Sequence, residues 1–394
     1  MAKLIDITGK PFSGEWGTDD EIGNGIPVLR TTNFTNKGVV DYSDVVMRCI
    51  GKKNIEDKYL QYGDIILEKS GGSDKQPVGR VVFFDGAEHK YLFNNFTGLL
   101  RIKDKNKWVP KFVFYSLFAS YLRGETRNFE NKTTGLHNLK IDLYMSNIEV
   151  NDFPYAKQMD VVKKIDKLNF LIELKEKQIE KLDLLVKSRF IEMFGDPDVN
   201  ELGWNEEKLG NCLGVIGGYA FKSSNFKENG VPILRIGNIN TGSFRSTNLV
   251  YWENDITLNR YKIYPGDLVM SLTGTVGKAD YGNVCILGDD YPVYYLNQRN
   301  AKLELGEKLD KMYLAELLKW PKIKNRLTGI SRGIRQANIS NKDIEVLNVP
   351  IPPIALQNQF ADFVAHINKS KLAIQQSLEK LETLKKSLMQ EYFG

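Results

Sequence analysis

The sequence is poor in the side chains that metal centres and many catalytic sites require. Its 394 residues include only three cysteines and three histidines. Cys49, Cys212 and Cys285 lie too far apart in sequence to suggest a ligand pair or a disulfide framework. The histidines give little from which to assemble a zinc site or a histidine-based catalytic centre. We therefore predict no bound metal, and the unpaired cysteines favour a reducing cytoplasm.

Long apolar runs are also missing. No stretch approaches about 18 consecutive apolar residues, and the opening MAKLIDITGK lacks the apolar core of a signal peptide. We therefore expect a soluble, cytoplasmic protein without membrane contact. The 54 basic and 49 acidic residues give a net charge of +5. This charge permits a nucleic-acid partner without requiring one.

What the sequence does contain is a long internal repeat. The segment GIPVLR, which begins at Gly25, returns as GVPILR at Gly230. From Pro154 and Pro353 onwards the two copies align without a gap, up to the Phe-Gly pair that ends each of them. Each copy therefore has a variable front part and a back part of constant length, as expected for a duplicated structural unit.

The two parts of each copy differ in physical character. The front parts alternate short β-branched and aromatic runs, such as VVFF at 81–84, with glycine-rich turns, which predicts short strands. The back parts contain neither Gly nor Pro at 161–194 and 360–393, which predicts unbroken helices about 50 Å long. The predicted fold class is α+β, with two globular domains joined by two long helices. The predicted segments are a first globular domain at 1–152, a helix at 153–197, a second globular domain at 198–351 and a helix at 352–394.

Apolar rows on the two helices predict how the helices pair. In a heptad that starts at Ile165, the first helix has apolar a positions, whereas the second has apolar d positions and places Lys371 and Lys385 at a. Antiparallel packing sets a against d and joins the apolar rows, which predicts an antiparallel coiled coil and an internal pseudo-two-fold repeat. The alternative is that each helix packs only on its own globular domain. The predicted packing residues are Ile165, Leu168, Ile172, Ile179, Leu182, Val186, Ile367, Ile374, Leu381 and Leu388.

Polar loops in the front parts have the chemistry of nucleic-acid contacts. An Arg and an Asn three residues apart follow each GIPVLR-like strand, and these side chains match guanine and adenine edges. The alternative is a salt-bridged Arg and a turn-forming Asn. The loops after the Gly-Asp strands offer hydroxyls, amides and a lysine to phosphates, although a plain hairpin turn has the same composition.

Loops that precede each long helix combine basic side chains, amides and glycine, as expected of a segment that faces a DNA groove. Together these loops give the predicted DNA-binding residues. They are Arg30, Thr31, Thr32, Asn33, Lys69, Ser70, Gly71, Gly72, Arg80, Lys132, Thr133, Thr134 and His137 in the first copy, and Arg235, Asn238, Thr273, Gly274, Thr275, Arg332, Arg335 and Gln336 in the second.

No catalytic motif is complete. The segment at 274–278 is similar to a phosphate-binding loop, but Leu272 and Ala279 replace the glycine and the hydroxyl that this loop requires. No dinucleotide fingerprint, cysteine pair or histidine-centred triad is present in the sequence. We therefore predict no catalytic residue in this chain.

Each half of the chain contains several longer segments of distinctive sequence. The first half contains GIPVLRTTNF, YGDIILEKSGG, PVGRVVFFD and NNFTGLLRIK, and the second contains GGYAFKSSNF, VPILRIGNI, YPGDLVMS and VPIPPIALQNQF. Together these segments resemble the DNA specificity subunits of type I restriction-modification systems. The resemblance covers essentially the whole chain. It implies two target recognition domains that alternate with two helical regions paired antiparallel.

The resemblance also implies a function. Each recognition domain would read one half of a bipartite, asymmetric site in double-stranded DNA, and the helices would fix the spacer. Two methyltransferase subunits that use S-adenosylmethionine and two restriction/translocase subunits that use ATP and Mg would bind the protein, which itself is non-catalytic and binds no cofactor. Two alternatives remain: a coiled-coil scaffold without DNA recognition, and a fragment of a fused restriction/methylation enzyme.

If the helices fix the spacer, inserting whole helical turns into either helix will lengthen the spacer of the recognised site and leave both half-sites unchanged. Mapping of methylated adenines in cells that express the variant with its methyltransferase measures both quantities. Altered half-sites with an unchanged spacer would contradict this role of the helices.

Overall fold

Two helices of 40 residues each, Tyr155–Phe194 and Ile354–Phe393, are the longest elements of the fold. The computed structural model describes residues 1–133, 136–329 and 336–394, so Thr134, Arg332 and Arg335 lie outside the described residues. The chain forms two units, Met1–Glu176 with Gln376–Gly394, and Lys177–Gln375. We call them unit 1 and unit 2. The division falls inside both long helices, and the four predicted sequence segments stay a prediction.

Unit 1 is built from short strands, from helices of which the last listed here continues into unit 2, and from the end of the second long helix. The strands are β1 (Ala2–Lys3), β2 (Phe12–Ser13), β3 (Thr18–Asp19), β4 (Ile26–Leu29), β5 (Val46–Cys49), β6 (Ile65–Glu68), β7 (Ser70–Gly72), β8 (Val81–Phe83), β9 (Leu92–Phe93), β10 (Thr97–Leu100), β11 (Glu130–Thr133), β12 (Leu136–Leu139) and β13 (Glu149–Val150). The helices are α1 (Leu4–Thr8), α2 (Pro110–Leu122), α3 (Ile141–Asn147) and α4 (Tyr155–Phe194), with short 3-10 turns at Thr31–Asn33, Glu56–Lys58 and Glu125–Phe129.

Unit 2 has a closely similar set of elements. The strands are β14 (Glu206–Lys208), β15 (Leu213–Gly217), β16 (Val231–Leu234), β17 (Val250–Trp252), β18 (Lys262–Ile263), β19 (Leu268–Ser271), β20 (Thr273–Thr275), β21 (Val284–Ile286), β22 (Tyr294–Leu296), β23 (Asn300–Leu305), β24 (Gln336–Asn338) and β25 (Asn348–Pro350). The helices are α5 (Lys311–Lys319), α6 (Pro321–Thr328), α7 (Asn341–Glu345) and α8 (Ile354–Phe393), with 3-10 turns at Leu209–Asn211, Ser223–Asn225, Ile236–Asn238 and Ile256–Tyr261.

The two units share the order of one four-stranded sheet and a parallel strand pair in a second sheet. The antiparallel order β2-β10-β6-β8 in unit 1 corresponds to β15-β23-β19-β21 in unit 2. A second sheet in each unit contains one parallel pair, β4 with β9 and β16 with β22. Leu29 lies opposite Phe93 in the first pair, and Leu234 lies opposite Leu296 in the second. Because each pair is parallel, the chain leaves both of its strands at the same edge of the sheet.

The main core of each unit includes apolar residues from both long helices. In unit 1, Ile165 of α4 and Phe393 of α8 share a core with Phe112 of α2. In unit 2, Phe190 of α4 and Phe360 of α8 contact each other with ring centroids 5.5 Å apart. Each long helix therefore packs on the other as well as on a globular part.

The contacts within each unit establish the direction of the helices. In unit 1, the ammonium group of Lys157, near the start of α4, lies 5.9 Å from the ring centre of Tyr392, near the end of α8. In unit 2, Phe194 at the end of α4 meets Phe360, and Asp183 forms an ion pair with Lys371 further along α8. The predicted α+β fold with two long antiparallel helices is confirmed.

The residues predicted to pack the helices are all buried or half-buried, and Ile165 is fully buried. The two lysines at a positions of α8 are accommodated differently. Lys371 pairs with Asp183, whereas burial lowers the pKa of Lys385. The charge of Lys371 thus has a carboxylate partner, whereas burial makes Lys385 easier to deprotonate.

A fully buried glutamine joins each long helix to its globular part. Gln158 accepts a hydrogen bond from the Val109 amide (2.9 Å) and donates to the carbonyls of Lys107 (3.1 Å) and Phe153 (2.8 Å). Its counterpart Gln357 accepts from the Asp310 amide (2.9 Å) and donates to the carbonyls of Lys308 (3.0 Å) and Pro352 (2.7 Å). Each side chain satisfies three backbone groups that would otherwise be buried without partners.

We predict that Gln357→Ala lowers the free energy of unfolding by about 1–3 kcal/mol, because the Asp310 amide and two carbonyls lose their partner. The matched control is Gln359→Ala, which removes an exposed glutamine two residues along the same helix and is expected to change stability by less than about 0.5 kcal/mol. Chemical denaturation of the full chain measures both. Equal effects of the two variants would contradict the joining role of Gln357.

Candidate nucleic-acid interface

In each unit a buried asparagine closes the turn that follows the first strand of the parallel pair. The Asn33 side chain accepts a hydrogen bond from the Arg30 amide (3.0 Å) and donates to the carbonyls of Asp41 and Asp44, both at 2.9 Å. Asn238 accepts from the Arg235 amide (2.9 Å) and donates to the carbonyls of Arg245 (2.9 Å) and Thr247 (3.0 Å).

Both asparagines are almost fully buried, at 2% and 4% exposure. Base reading by Asn33 or Asn238 is incompatible with this conformation, because their amide groups are already bonded to the backbone. The turn-forming alternative describes them better, and we assign both residues a role in positioning the turn.

The two arginines beside these asparagines differ in their charge environment. Arg30 forms an ion pair with Asp44 (2.8 Å), whereas Arg235 donates to the Asn248 carbonyl (2.6 Å). Within the described residues Arg235 has no carboxylate partner, and the Nε of each arginine is buried without a hydrogen-bond partner. Among the described residues, the guanidinium group is therefore paired with a largely exposed carboxylate in unit 1 and with a backbone carbonyl in unit 2.

A three-residue turn emerges beside each of these arginine turns, because it follows the other strand of the parallel pair. The turn at 94–96 begins where the Asn94 amide donates to the Leu29 carbonyl (2.9 Å). In unit 2 the turn at 297–299 begins where the Asn297 amide donates to the Leu234 carbonyl (3.3 Å). Sequence analysis missed both turns, although aligning the two copies from the parallel strands would have revealed them.

A glycine packs tightly against the first residue of each of these turns. A Cβ atom added to Gly14 would lie 2.0 Å from the Asn94 carbonyl oxygen, and one added to Gly218 would lie 2.2 Å from that of Asn297. Neither position has room for a side chain, because such contacts are far inside van der Waals separation. In both units, the segment that contains the glycine thus lies in close contact with the three-residue turn.

The predicted glycine-rich loops join the same turns through backbone hydrogen bonds. The Lys69 amide donates to the Phe96 carbonyl (2.8 Å), and the Leu272 amide donates to the Arg299 carbonyl (2.8 Å). In unit 1, β7 pairs with β12, which pairs with β11. In unit 2, β20 pairs with β24. The predicted loops of each copy that lie within the described residues are therefore brought together.

Two predicted DNA contacts lie in buried polar networks. Arg80 makes a two-point ion pair with Glu68 (2.9 and 3.0 Å) and donates to the Thr31 carbonyl (3.1 Å). His137 is 5% exposed and its Nδ1 lies 2.9 Å from a carboxylate oxygen of Glu130. These partners place Arg80 and His137 in the support of the loops rather than on their accessible surface.

The other predicted residues differ in accessibility. Thr32, Gly71 and Thr275 are exposed, Thr31, Lys69, Ser70 and Gly274 are half-buried, and Gly72 and Thr273 are buried. Burial also lowers the pKa of Lys69. Lys132 and Thr133 lie in β11, and Gln336 begins β24.

Unit 2 has a polar recess between its arginine turn and its three-residue turn. The recess has a volume of about 590 Å³, and its lining includes Ser223, Arg235, Asn248, Gln298 and Arg299. Among the described residues, no carboxylate lines it. Two guanidinium groups without a neighbouring acid favour a ligand rich in hydrogen-bond acceptors, such as a phosphate or the edge of a purine.

The described part of the chain contains neither a metal-binding cluster nor a membrane-spanning helix. No group of three or more His, Cys, Asp or Glu residues there is arranged to hold a metal ion. Likewise, none of its helices has the length and apolar character needed to cross a membrane.

A protein-family model matches the second half of the chain. Residues 201–385 match the type I restriction modification DNA specificity domain. The chain is 26% identical over 340 residues to the type I restriction enzyme MjaVIII specificity subunit of Methanocaldococcus jannaschii, covering 78% of this chain and 76% of that protein. It is 24% identical over 202 residues to the EcoKI specificity subunit of Escherichia coli, covering 48% of this chain and 42% of that protein.

Solved structures of type I restriction-modification systems have a fold similar to that of this chain. The crystal structure of a type I restriction-modification S subunit from M. genitalium matches 100% of this chain and 95% of its own, with a TM-score of 0.58 at 15% identity. A chain from a study of complex assembly in the type I R-M system matches with a TM-score of 0.54 at 14% identity, covering 100% and 96%. The family resemblance inferred from the sequence is confirmed.

We predict that Arg80→Ala lowers the free energy of unfolding by about 3–5 kcal/mol, because it leaves the buried Glu68 carboxylate without its partner. The double variant R80A/E68Q is expected to recover part of this loss, since the unpaired charge is then absent. Arg123→Ala, which removes an arginine from a more exposed ion pair with Glu125, is the matched control. Unchanged stability of Arg80→Ala, measured by chemical denaturation, would contradict the supporting role.

Proposed function

We propose that this protein reads a bipartite, asymmetric site in double-stranded DNA and that each unit reads one half-site. The similarity of the chain to type I specificity subunits supports this proposal. The observation that carries the proposal is the repetition of one loop framework with different exposed side chains. Both units combine a turn closed by a buried asparagine, a neighbouring three-residue turn and a close-packed glycine.

A repeated framework with different surfaces fits a target with two unlike halves. Several buried parts correspond, as Asn33 does to Asn238 and Gly14 does to Gly218. The accessible parts differ, because Asn95 and Phe96 in unit 1 stand where unit 2 has Gln298 and Arg299. Base contacts specify sequence whereas phosphate contacts position the protein, so different exposed side chains on one framework favour two different half-sites.

In this proposal, the long helices provide the surface to which partner subunits bind. In unit 1, Phe170 and Leu174 of α4 are 63% and 41% exposed and lie one helical turn apart on the same face. Exposed apolar side chains at this spacing suit the docking of another protein. We assign this face to a methyltransferase subunit, two copies of which bind per chain in the proposed complex, together with two restriction/translocase subunits.

The chemistry of the proposed complex belongs to those partners. The methyltransferase would use S-adenosylmethionine, and the restriction/translocase would use ATP and Mg, while this chain binds no cofactor and catalyses no step. This division agrees with the incomplete catalytic motifs of the sequence. A complex that methylates and restricts DNA would act in the cytoplasm, where we place the protein.

The proposal predicts sequence-selective binding to duplex DNA. The full chain, co-purified with its methyltransferase, is presented with a random duplex library, and bound molecules are sequenced. Two short conserved patches separated by a fixed spacer are expected, with affinity that falls steeply as salt rises, because phosphate neutralisation releases counterions. Exchanging residues 1–150 for the corresponding domain of another specificity subunit should change one patch only.

The controls separate the proposal from its alternatives. A methyltransferase preparation without this chain shows how much selectivity comes from the partner. A scaffold without DNA recognition would give no enriched sequence in the complex. Enrichment of a single patch, or a change in both patches after the domain exchange, would contradict the assignment of one half-site to each unit.

A further inference from the structure

We infer that the exposed residue pair at the tip of each three-residue turn, Asn95 with Phe96 in unit 1 and Gln298 with Arg299 in unit 2, selects the bases of its half-site. This inference rests on the proposed function, since it names the side chains that read DNA. Neither pair was among the residues predicted from the sequence.

The backbone of the two turns is held in the same way. The Thr97 amide donates to the Asn94 carbonyl (3.1 Å), and the Asn300 amide donates to the Asn297 carbonyl (2.9 Å). Asn94 and Asn297 are both buried, at 4% and 8% exposure. Each turn is thus fixed at both ends by contacts that do not involve the tip side chains.

The tips also receive support from the neighbouring loops. The carbonyl of the last tip residue accepts the hydrogen bond from Lys69 in unit 1 and from Leu272 in unit 2. These bonds use backbone atoms only, so they persist whichever side chain the tip has. A rigid support with replaceable side chains is the arrangement that base recognition requires, because the reading groups must be held in place.

In unit 1 the tip presents an amide and an aromatic ring. Phe96 is 53% exposed, although a phenylalanine gains most by burial. An exposed aromatic side chain can contact the thymine methyl group, and the Asn95 amide matches the two edge groups of adenine. Arg30 beside this turn is paired with the Asp44 carboxylate. Unit 1 should therefore read an A·T pair.

In unit 2 the tip presents an amide and a guanidinium group in the recess that contains Arg235 and has no carboxylate. Arginine matches the two acceptors of guanine, and glutamine matches adenine. Among the described residues no acid lines the recess, so neither arginine is paired with a carboxylate there. Unit 2 should therefore read a G·C pair through Arg299 and an adjacent A·T pair through Gln298.

The test exchanges the tips. Variants N95Q/F96R in unit 1 and Q298N/R299F in unit 2 of the full chain, with its methyltransferase, are each subjected to duplex selection and sequencing. Each exchange should change the preferred bases at one or two positions of one patch and leave the other patch unchanged. R299K should weaken discrimination for guanine by about 5- to 150-fold, because lysine lacks the planar two-donor fork of the guanidinium group.

The matched control is Arg326→Ala, which removes an exposed arginine of unit 2 that donates to the Asn348 carbonyl and does not line the recess. It should leave both patches unchanged. Thermal unfolding of each tip variant should match the unaltered chain, because the tip side chains are exposed. A misfolded variant is thereby distinguished from one with altered specificity.

The outcomes separate this inference from the proposed function. An unaltered chain that selects two patches, together with tip variants that select the same bases, overturns the inference alone. A uniform loss of affinity across all sequences also overturns it, since that result indicates phosphate contact. An unaltered complex that enriches no sequence overturns the proposed function, and the inference with it.

Discussion

The structure depends on one repeated interaction, the burial of a glutamine amide between the start of a long helix and the segment that precedes α2 or α5. Gln158 and Gln357 are both 0% exposed, and each bonds to three backbone groups. A buried backbone group without a partner costs about 1–3 kcal/mol, so the helix start cannot shift relative to that segment without losing several bonds. The core residues of both long helices add apolar packing to the hydrogen bonds that each glutamine makes.

In the candidate interface, too, buried residues hold the backbone of the loops in place. Buried asparagines, ion-paired Arg80 and glycines without room for a side chain hold the backbone, whereas the residues that reach solvent make few contacts with the framework. This separation lets the exposed side chains differ between the units while the fold stays the same. It also explains how the electrostatics diverge, since the Asp44 carboxylate pairs with Arg30, whereas among the described residues Arg235 meets only the Asn248 carbonyl.

The sequence predicted the fold well because its signals are periodic. Heptads reveal the helices and their antiparallel pairing, and the repeat reveals two similar units. The interface was harder to predict, because the partners of its residues are distant in the chain. The residue type of Asn33 favours base reading, whereas in the structure its side chain donates to the carbonyls of Asp41 and Asp44. Arg80 meets Glu68 because β6 and β8 pair. The turn at 94–96 was missed because it interrupts an otherwise apolar segment.

The central claim is that both repeated loop frameworks contact DNA. Hydrogen–deuterium exchange of the full chain with its methyltransferase, with and without a duplex that carries the selected site, tests it most directly. We predict slower amide exchange on DNA binding in peptides that contain 30–33 and 94–97 of unit 1 and 235–238 and 297–300 of unit 2. Slower exchange confined to the long helices, or to one unit, would contradict the claim.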